Sequence, residues 1–416
     1  MGGGGGVGVC AFFSPSVPPG GGRAGGRQKK SPHPFARRNE TDQMTELEAE
    51  LETRLREVED PLVGEDIVTM GLINDVTIED GTASISLAFN TPFAPGELEL
   101  GNAIREAVRD VGLEPDLYAE AGEEHGFDEE VMPNVRNVVA VASGKGGVGK
   151  TTVAANLAAG LEQMGARVGL LDADIHGPNV PRVLPVEEEP GVTPQEKIVP
   201  PTSDGVKIMS MDFLIGEKDD PAILRGPMVN NVMTHFFENV EWGALDYLVV
   251  DLPPGTGDAS LDLVQTLPVA GVAIVTTPQQ MAVDDARKGL RLFEKHETPV
   301  LGIVENMSLY HCPSCEETHD PFGRGGAQEI SDSYDVELLG QIPIHEDFGA
   351  DGTTDPVVKL ESSPVRESVV ELVDSIADRV GEVNRRKVAD MLDLGGREED
   401  KSPVEESDRG GTGPKL

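Results

Sequence analysis

The sequence predicts an α/β fold with a mostly parallel sheet that is covered by helices on both faces. From Val135 to about Val383, short apolar runs of strand length alternate with longer runs that have helical spacing. A glycine-rich segment follows the first of these apolar runs, and acidic residues end two of the later ones. Ligands bind at the carboxyl ends of the strands in folds of this kind. The sequence therefore predicts a ligand site at that edge of the sheet.

The chain divides into five segments by composition. Residues 1–43 are rich in Gly, Pro and Arg, and residues 391–416 combine glycines with acidic residues, so we expect both segments to be disordered. The basic first segment contrasts with the acidic helical sequence after it, and Met44 is therefore a candidate for the true first residue. Residues 44–122 predict a small α/β domain, residues 123–134 an acidic linker, and residues 135–390 the main domain.

The elements of both domains follow from the spacing of apolar residues. In the small domain this spacing predicts helices over residues 45–58 and 101–111, and strands over residues 67–78 and 83–89. In the main domain the predicted strands are 138–142, 167–172, 246–251, 271–276, 299–304 and 337–341. Helix-like sequence separates most of these strands, which favours parallel pairing.

The formal net charge is −40, although residues 1–43 are themselves basic. So acidic a surface is typical of adaptation to high salt, and it argues against nonspecific binding to nucleic acid or to anionic membrane. The three cysteines, Cys10, Cys312 and Cys315, form no disulfide framework and suit a reducing compartment. No apolar run approaches the roughly 18 residues of a membrane span. We therefore expect a cytoplasmic protein without a nucleic-acid or membrane partner.

Residues 143–152 have the sequence of a phosphate-binding loop between a strand and a helix-like run. Gly144, Gly149, Lys150 and Thr151 complete the pattern G-x-x-x-x-G-K-[ST]. In such a loop the backbone N–H groups turn toward the phosphates, the lysine reaches the β- and γ-phosphates, and the hydroxyl ligates Mg²⁺. The predicted nucleotide-binding residues of the loop are Gly144, Lys145, Gly146, Gly147, Val148, Gly149, Lys150, Thr151 and Thr152.

Acidic and amide side chains follow other strands of the predicted sheet. Asp251 ends the apolar run that begins at Leu245, an arrangement that delivers a carboxylate to the Mg²⁺ shell. Asp174 is a candidate for polarising an attacking water and Asp172 for a position near Mg²⁺, with helix capping as the alternative. Asn306 is a candidate for reading a purine base edge, with a turn as its alternative role.

The spacing Cys312-Pro-Ser-Cys315 lets two thiolates meet one metal centre. The pair is expected in a loop after the strand 299–304, and by itself it is compatible with a redox pair, half a zinc site or half an iron–sulfur site. Two thiolates do not fill the four ligand positions of a zinc or cubane site. Either His311 or His319 assists, or two subunits each supply both cysteines across a symmetry axis.

Together these segments resemble the Mrp/ApbC family of iron–sulfur carrier ATPases over roughly residues 135–383. The resemblance implies a P-loop NTPase fold of the deviant Walker A class, ATP binding, and slow Mg²⁺-dependent hydrolysis with Lys145, Lys150 and Asp174 as catalytic residues. Lys145 is the residue that crosses a dimer interface to the partner's nucleotide in that class, so a homodimer is implied. The matching segments are 143–152, 172–178, 225–228, 246–258, 301–307, 312–315 and 322–327.

The same resemblance implies a [4Fe–4S] cluster bridged by Cys312 and Cys315 of both subunits. The cluster would arrive from an assembly scaffold and pass to recipient apoproteins. Residues 57–111 resemble the MIP18-like domain that often precedes this ATPase. That domain commonly has a cysteine after its Thr-Pro segment, whereas Thr91-Pro-Phe-Ala-Pro95 is followed by none. We therefore expect partner docking rather than metal binding from the small domain.

The alternative function is that of a ParA/MinD-like positioning ATPase, which shares the loop with Lys145. Such a protein needs a basic patch or a basic amphipathic C-terminal helix. The last predicted helix, residues 365–383, is acid-rich, and the cysteine pair has no role in that alternative.

Overall fold

The computed structural model describes residues 42–91, 93–119, 132, 134–174, 177–213, 239–255, 257–312, 314–315, 317–349 and 355–399. Almost all of the predicted basic arm, most of the predicted linker, residues 225–228 and residues 400–416 lie outside these ranges. The last helix continues to Glu399, so the predicted boundary at residue 391 falls within a helix. Among the described residues, no helix combines the length and apolar character that crossing a membrane requires.

The small domain has three strands and two helices. In chain order these are α1 (Asp42–Leu55), β1 (Ile73–Glu79), β2 (Thr82–Leu87), α2 (Pro95–Asp110) and β3 (Glu114–Ala119). The sheet order is β1-β2-β3, with β1 and β2 antiparallel and β2 and β3 parallel. Apolar residues of the helices and the sheet form a separate core that includes Leu51, Ile85 and Ile104. Strand β3 was not among the predicted elements, because its sequence Glu-Pro-Asp-Leu-Tyr-Ala lacks an apolar alternation.

The main domain contains the remaining elements. They are β4 (Val135–Ser143), α3 (Lys150–Gln163), β5 (Val168–Asp172), α4 (Val180–Val183), β6 (Gly191–Val192), β7 (Ile198–Val199), β8 (Thr202–Ser203), β9 (Val206–Ser210), β10 (Leu245–Asp251), α5 (Asp258–Thr266), β11 (Val269–Thr276), α6 (Gln280–Lys295), β12 (Val300–His311), β13 (Thr318–His319), α7 (Gly326–Tyr334), β14 (Leu338–Ile344) and α8 (Arg366–Glu399).

The main sheet has the order β13-β12-β11-β4-β10-β5-β9-β8, and β14 also pairs with β12. The long strands pair in parallel, whereas the short strands β8 and β13 pair antiparallel with their neighbours. Alternate residues of the central strands face opposite cores. Helices α3 and α8 cover one face, and helices α5, α6 and α7 cover the other. The predicted α/β class, with a mostly parallel sheet and a small domain before it, is confirmed.

Strand β12 is much longer than the predicted strand 299–304. It continues to His311, pairs with β14 at Tyr310, and forms a hairpin with β13. Its pairing with β14 shifts register between Asn306 and Tyr310, and Met307 has a φ of +56° there. The predicted strand, residues 299–304, was therefore too short, because hydrogen bonds to β13 and β14 carry β12 past this bulge. The cysteines lie in the tip of the hairpin.

The small domain packs against helix α8 through a buried polar cluster. Arg385 of α8 is 2 % exposed, and its Nε lies 2.6 Å from the fully buried Asp60 carboxylate. Its Nη1 lies 3.5 Å from Glu97 at the start of α2. The backbone N–H of Gly96 donates a 2.7 Å hydrogen bond to Asp378 of α8. Buried charges of Arg385, Asp60 and Glu97, together with the half-buried Asp378, thus hold the two domains together.

Candidate nucleotide site and cysteine hairpin

The phosphate loop lies where β4 passes into α3, as its sequence predicts. Gly147 and Gly149 have φ values of +80° and +84°, which side chains other than glycine rarely adopt. A Cβ on Gly144 would come within 2.3 Å of the Asp285 backbone in α6. The loop glycines are therefore required by backbone conformation and by close packing.

Strands β4, β10 and β5 are neighbours in the sheet, so their carboxyl ends bring the loop and the acidic residues together. The Lys150 ammonium pairs with Asp251 Oδ1, and the Thr151 hydroxyl donates a 2.6 Å hydrogen bond to Asp251 Oδ2. The side chains of Lys150 and Asp251 are 7 % and 0 % exposed. The predicted loop lysine, loop hydroxyl and strand-end carboxylate thus form one contiguous cluster.

Burial is the main electrostatic influence on Asp251. It raises the pKa of that carboxyl, and the nearby Asp174 carboxylate raises it as well, whereas Lys150 and Thr151 lower it. Two oxygen atoms of the cluster, Thr151 Oγ1 and Asp251 Oδ2, are the hard ligands that Mg²⁺ prefers. The residues present therefore fit a magnesium ion at this point.

Asp172 and Asp174 have different roles in the fold. Asp172 is fully buried, and its Oδ2 accepts hydrogen bonds from the backbone N–H groups of Asn179 and Val180 and from the Ser210 hydroxyl. These hydrogen bonds join Asp172 to the start of α4 and to β9, although the N-cap residue of α4 is Asn179. Burial, with the neighbouring Asp251 carboxylate, raises the pKa of Asp172 to about 6.

Asp174 lies two residues further on and is only partly buried. Its Oδ1 accepts a 3.2 Å hydrogen bond from the backbone N–H of Gly177. Its charge reaches Asp251, as the effect on the pKa of that carboxyl shows. Asp174 thus follows the carboxyl end of β5, which lies beside the end of β10 at Asp251.

The loop after β10 is hydrogen-bonded to the start of the phosphate loop. The Gly255 N–H donates a 2.9 Å hydrogen bond to the Ser143 carbonyl, and the Ser143 hydroxyl donates to the Lys145 carbonyl. These two hydrogen bonds connect the backbone of the partly buried Lys145, through Ser143, to the loop that follows Asp251. Sequence reasoning attached no role to Ser143; its place directly before Gly144 is the signal that identifies it.

Asn306 lies beside the phosphate loop. Its side-chain amide donates a 2.9 Å hydrogen bond to the Val148 carbonyl, and its Oδ1 accepts one from Met307 N–H. A Cβ on Gly149 would come within 2.1 Å of Asn306 Nδ2, so the contact is close. The structure gives Asn306 a contact with the loop backbone, and its role toward a purine base stays a prediction.

Glu305, the residue before Asn306, is a buried carboxylate that sequence reasoning left without a role. It accepts hydrogen bonds from the Ala327 N–H at the start of α7 and from the Gln341 side chain. Its place directly after the apolar run of residues 300–304 is the signal that could have identified it. It fixes the start of α7 to the same strand that contacts the phosphate loop.

The hairpin tip brings two cysteines and one histidine together. The Sγ atoms of Cys312 and Cys315 and a ring nitrogen of His319 all lie within 4.8 Å of one another, and Cys315 Sγ is 3.3 Å from His319 Nε2. Backbone N–H groups of Cys315 and Ser314 lower the pKa of the Cys312 thiol. His311 lies outside this group, because its Nδ1 is 2.9 Å from the Thr318 hydroxyl.

The parallel sheet, the glycine-rich loop and the Lys150–Asp251 pair define a P-loop nucleoside triphosphatase with a second lysine in its loop. Residues 134–380 match the NUBPL iron-transfer P-loop NTPase family, and residues 48–115 match a family described as iron–sulfur cluster assembly protein. The chain belongs to the NUBPL iron-transfer P-loop NTPase family, with an iron–sulfur cluster assembly domain before the NTPase domain.

Individual relatives agree with this assignment. An iron–sulfur cluster carrier protein of Synechocystis sp. is 41% identical over 340 residues, covering 79% of this chain and 96% of the relative. That of Haemophilus influenzae is 36% identical over 335 residues, covering 78% and 89%. Among solved structures, the nucleotide-binding protein from Archaeoglobus fulgidus in complex with ADP is 36% identical, covers 57% of this chain and 93% of that chain, and has a TM-score of 0.49.

Proposed function

We propose that this chain is an ATP-dependent carrier that holds a [4Fe–4S] cluster as cargo and transfers it to apoproteins. The observation that carries the proposal is the path of β12. The middle of this strand contacts the phosphate loop through Asn306, and its carboxyl end leads directly into the turn with Cys312 and Cys315. Cys312 lies six positions after Asn306, a distance of roughly 20 Å along a strand. Membership of an iron-transfer family and the carrier relatives support the same function.

ATP would be held by residues 144–152, with Lys150 on the β- and γ-phosphates. Thr151 and Asp251 would hold Mg²⁺, which neutralises charge on the phosphates when it is bound. Asp174 orients the attacking water. For Lys150 to reach the phosphates, its ammonium must leave or share Asp251, so nucleotide binding rearranges a buried ion pair.

The cluster needs four thiolates, and each chain offers two at the hairpin. We propose that two copies meet across a symmetry axis, each supplying Cys312 and Cys315, with Lys145 of each copy directed to the nucleotide of the other. Movement of the phosphate loop on hydrolysis shifts Asn306 and the bulge at Met307, and thereby the hairpin. Hydrolysis would in this way change the affinity of the two hairpins for the cluster. The alternative function, that of a positioning ATPase, assigns no role to these cysteines.

The test is anaerobic reconstitution of the purified chain with iron and sulfide. The wild type should turn brown, bind one [4Fe–4S] cluster per dimer, and activate an apoprotein that requires such a cluster. Cys312→Ala/Cys315→Ala should stay colourless and still bind ATP, because the cysteines lie outside the phosphate loop. A double variant that holds the cluster, or a wild type that holds zinc but no iron or sulfide, would contradict the proposal.

A further inference from the structure

We propose that each protomer by itself binds one thiophilic divalent ion, such as Zn²⁺, through Cys312, Cys315 and His319. This ion site is distinct from the bridged cluster, because it uses ligands of one chain only. Its three donor atoms already lie within 4.8 Å of one another. In a tetrahedral site with bonds of about 2.3 Å to sulfur and about 2.0 Å to nitrogen, sulfur and nitrogen are roughly 3.5 Å apart. The observed separation of Cys315 Sγ and His319 Nε2 is 3.3 Å.

The hairpin backbone holds these ligands in register. Cys312 N–H donates a 3.0 Å hydrogen bond to the Glu317 carbonyl, and His319 pairs with Tyr310 across the two strands. His319 thus stands on a strand directly beside the turn that contains both cysteines. The three ligand side chains need little rearrangement to bind an ion, because their donor atoms already lie close together.

The two histidines of the hairpin differ in their surroundings. His311 has its Nδ1 on the Thr318 hydroxyl and is not among the clustered ligands, whereas His319 faces Cys315. Both are exposed residues of the same two-stranded segment. They therefore form a matched pair of positions, one proposed to bind the ion and one not.

Three protein ligands leave one tetrahedral position open. Cys315 and His319 are exposed, so the open position is accessible to water or to a donor atom of another molecule. Thiolate and imidazole ligands favour Zn²⁺ over Mg²⁺. Because the ion and the bridged cluster require the same thiolates, the ion excludes the cluster, and thiophilic divalent ions inhibit cluster loading.

The experiment titrates the reduced, metal-free full chain with Co²⁺ under anaerobic conditions. We expect one Co²⁺ per chain, with thiolate-to-cobalt charge transfer and the visible d–d absorption of a tetrahedral ion, and no change in oligomeric state on binding. His319→Ala should weaken binding at least about tenfold, the loss that even outer-shell partners of metal ligands cause. His311→Ala should bind like the wild type, and Cys312→Ala/Cys315→Ala should lose the charge-transfer band.

The proposal is overturned if His319→Ala titrates like the wild type, or if saturation needs only one Co²⁺ per two chains. Reconstitution of His319→Ala with iron and sulfide separates this proposal from the carrier function. If that variant holds the cluster but loses cobalt, both proposals stand. If the wild type binds cobalt but holds no cluster, the carrier function fails while the ion site stands.

Discussion

The Asn306 side-chain amide donates a 2.9 Å hydrogen bond to the Val148 carbonyl in the phosphate loop, although the two residues are 158 positions apart. The contact joins the nucleotide loop to the strand that ends in the cysteine hairpin. Next to it, Met307 adopts a positive φ at a register shift, a conformation that costs roughly 1–3 kcal/mol for a residue other than glycine. The strand is thus attached to the loop immediately before its most irregular point.

Asn306→Ala is expected to uncouple nucleotide state from cluster retention. The substitution leaves the Val148 carbonyl without its buried partner, at a cost of about 1–3 kcal/mol. Cluster release measured with and without ATP should become equal in the variant. Ser308→Ala is the control, because the Ser308 hydroxyl is buried in the same strand and makes no hydrogen bond among the described residues. Equal nucleotide responses of Asn306→Ala and the wild type would contradict the coupling.

Thr151→Ala is expected to lose the Mg²⁺-dependent part of ATP affinity. The substitution removes a proposed Mg²⁺ ligand, and loss even of an outer-shell partner of a metal ligand weakens metal affinity by about 10- to 100-fold. Calorimetry should therefore show a roughly 10- to 100-fold weaker affinity for MgATP and little change for ATP with chelator. Thr151→Ser keeps the hydroxyl and should restore wild-type values. Failure of serine to restore binding would argue against a ligand role for the hydroxyl.

Arg385→Ala is expected to destabilise the junction between the two domains. It leaves the buried Asp60 and Glu97 carboxylates without their cation, and loss of one partner from a buried ion pair costs about 3–5 kcal/mol. Denaturant unfolding and limited proteolysis should show the small domain released first. The adjacent Arg386 is 60 % exposed, and its partner Glu382 also pairs with Arg379, so Arg386→Ala leaves no carboxylate without a cation and should cost less than about 1 kcal/mol. Similar losses for the two variants would refute the buried cluster as the cause.

Asp172 is expected to make the free energy of unfolding fall as pH rises from about 4 to about 6. Its folded pKa of about 6 lies above its ordinary value of 3.8, so the folded chain keeps a proton that the unfolded chain has lost in this window. The full change is about 3 kcal/mol, at 1.36 kcal/mol per pKa unit, and the contribution stays constant at higher pH. Asp172→Asn resembles the protonated side chain and removes this dependence.

The measurement compares denaturant unfolding of wild type and Asp172→Asn at several pH values. The series begins at pH 5 to stay above the pI of about 4.4, where a protein without net charge tends to precipitate. At pH 5 about half of the expected change in the free energy of unfolding is still to come. The stability of the wild type relative to the variant should fall from pH 5 to 7. Parallel curves for the two proteins would show that the pKa of Asp172 is not raised.

The sequence by itself determined the class of fold, the phosphate loop and most strands of the main sheet. These features depend on local signals: apolar runs of strand length, helical spacing, and glycines at fixed intervals before Lys150 and Thr151. Asp251 was predictable for the same reason, because an acid at the end of a buried strand has a position fixed by the strand itself. The cysteine pair stood out through its spacing in a chain with three cysteines.

Only the tertiary structure decided the relations between distant segments. The extension of β12 to His311 depends on hydrogen bonds from β13 and β14, and the contact of Asn306 with Val148 depends on how strand and loop pack. Arg385 belongs to no recognisable motif in the sequence, yet it is buried between two carboxylates of another domain. His319 was one of two equivalent histidines until the hairpin placed it against Cys315. Local spacing fixes what a segment forms, whereas three-dimensional packing fixes which side chains meet.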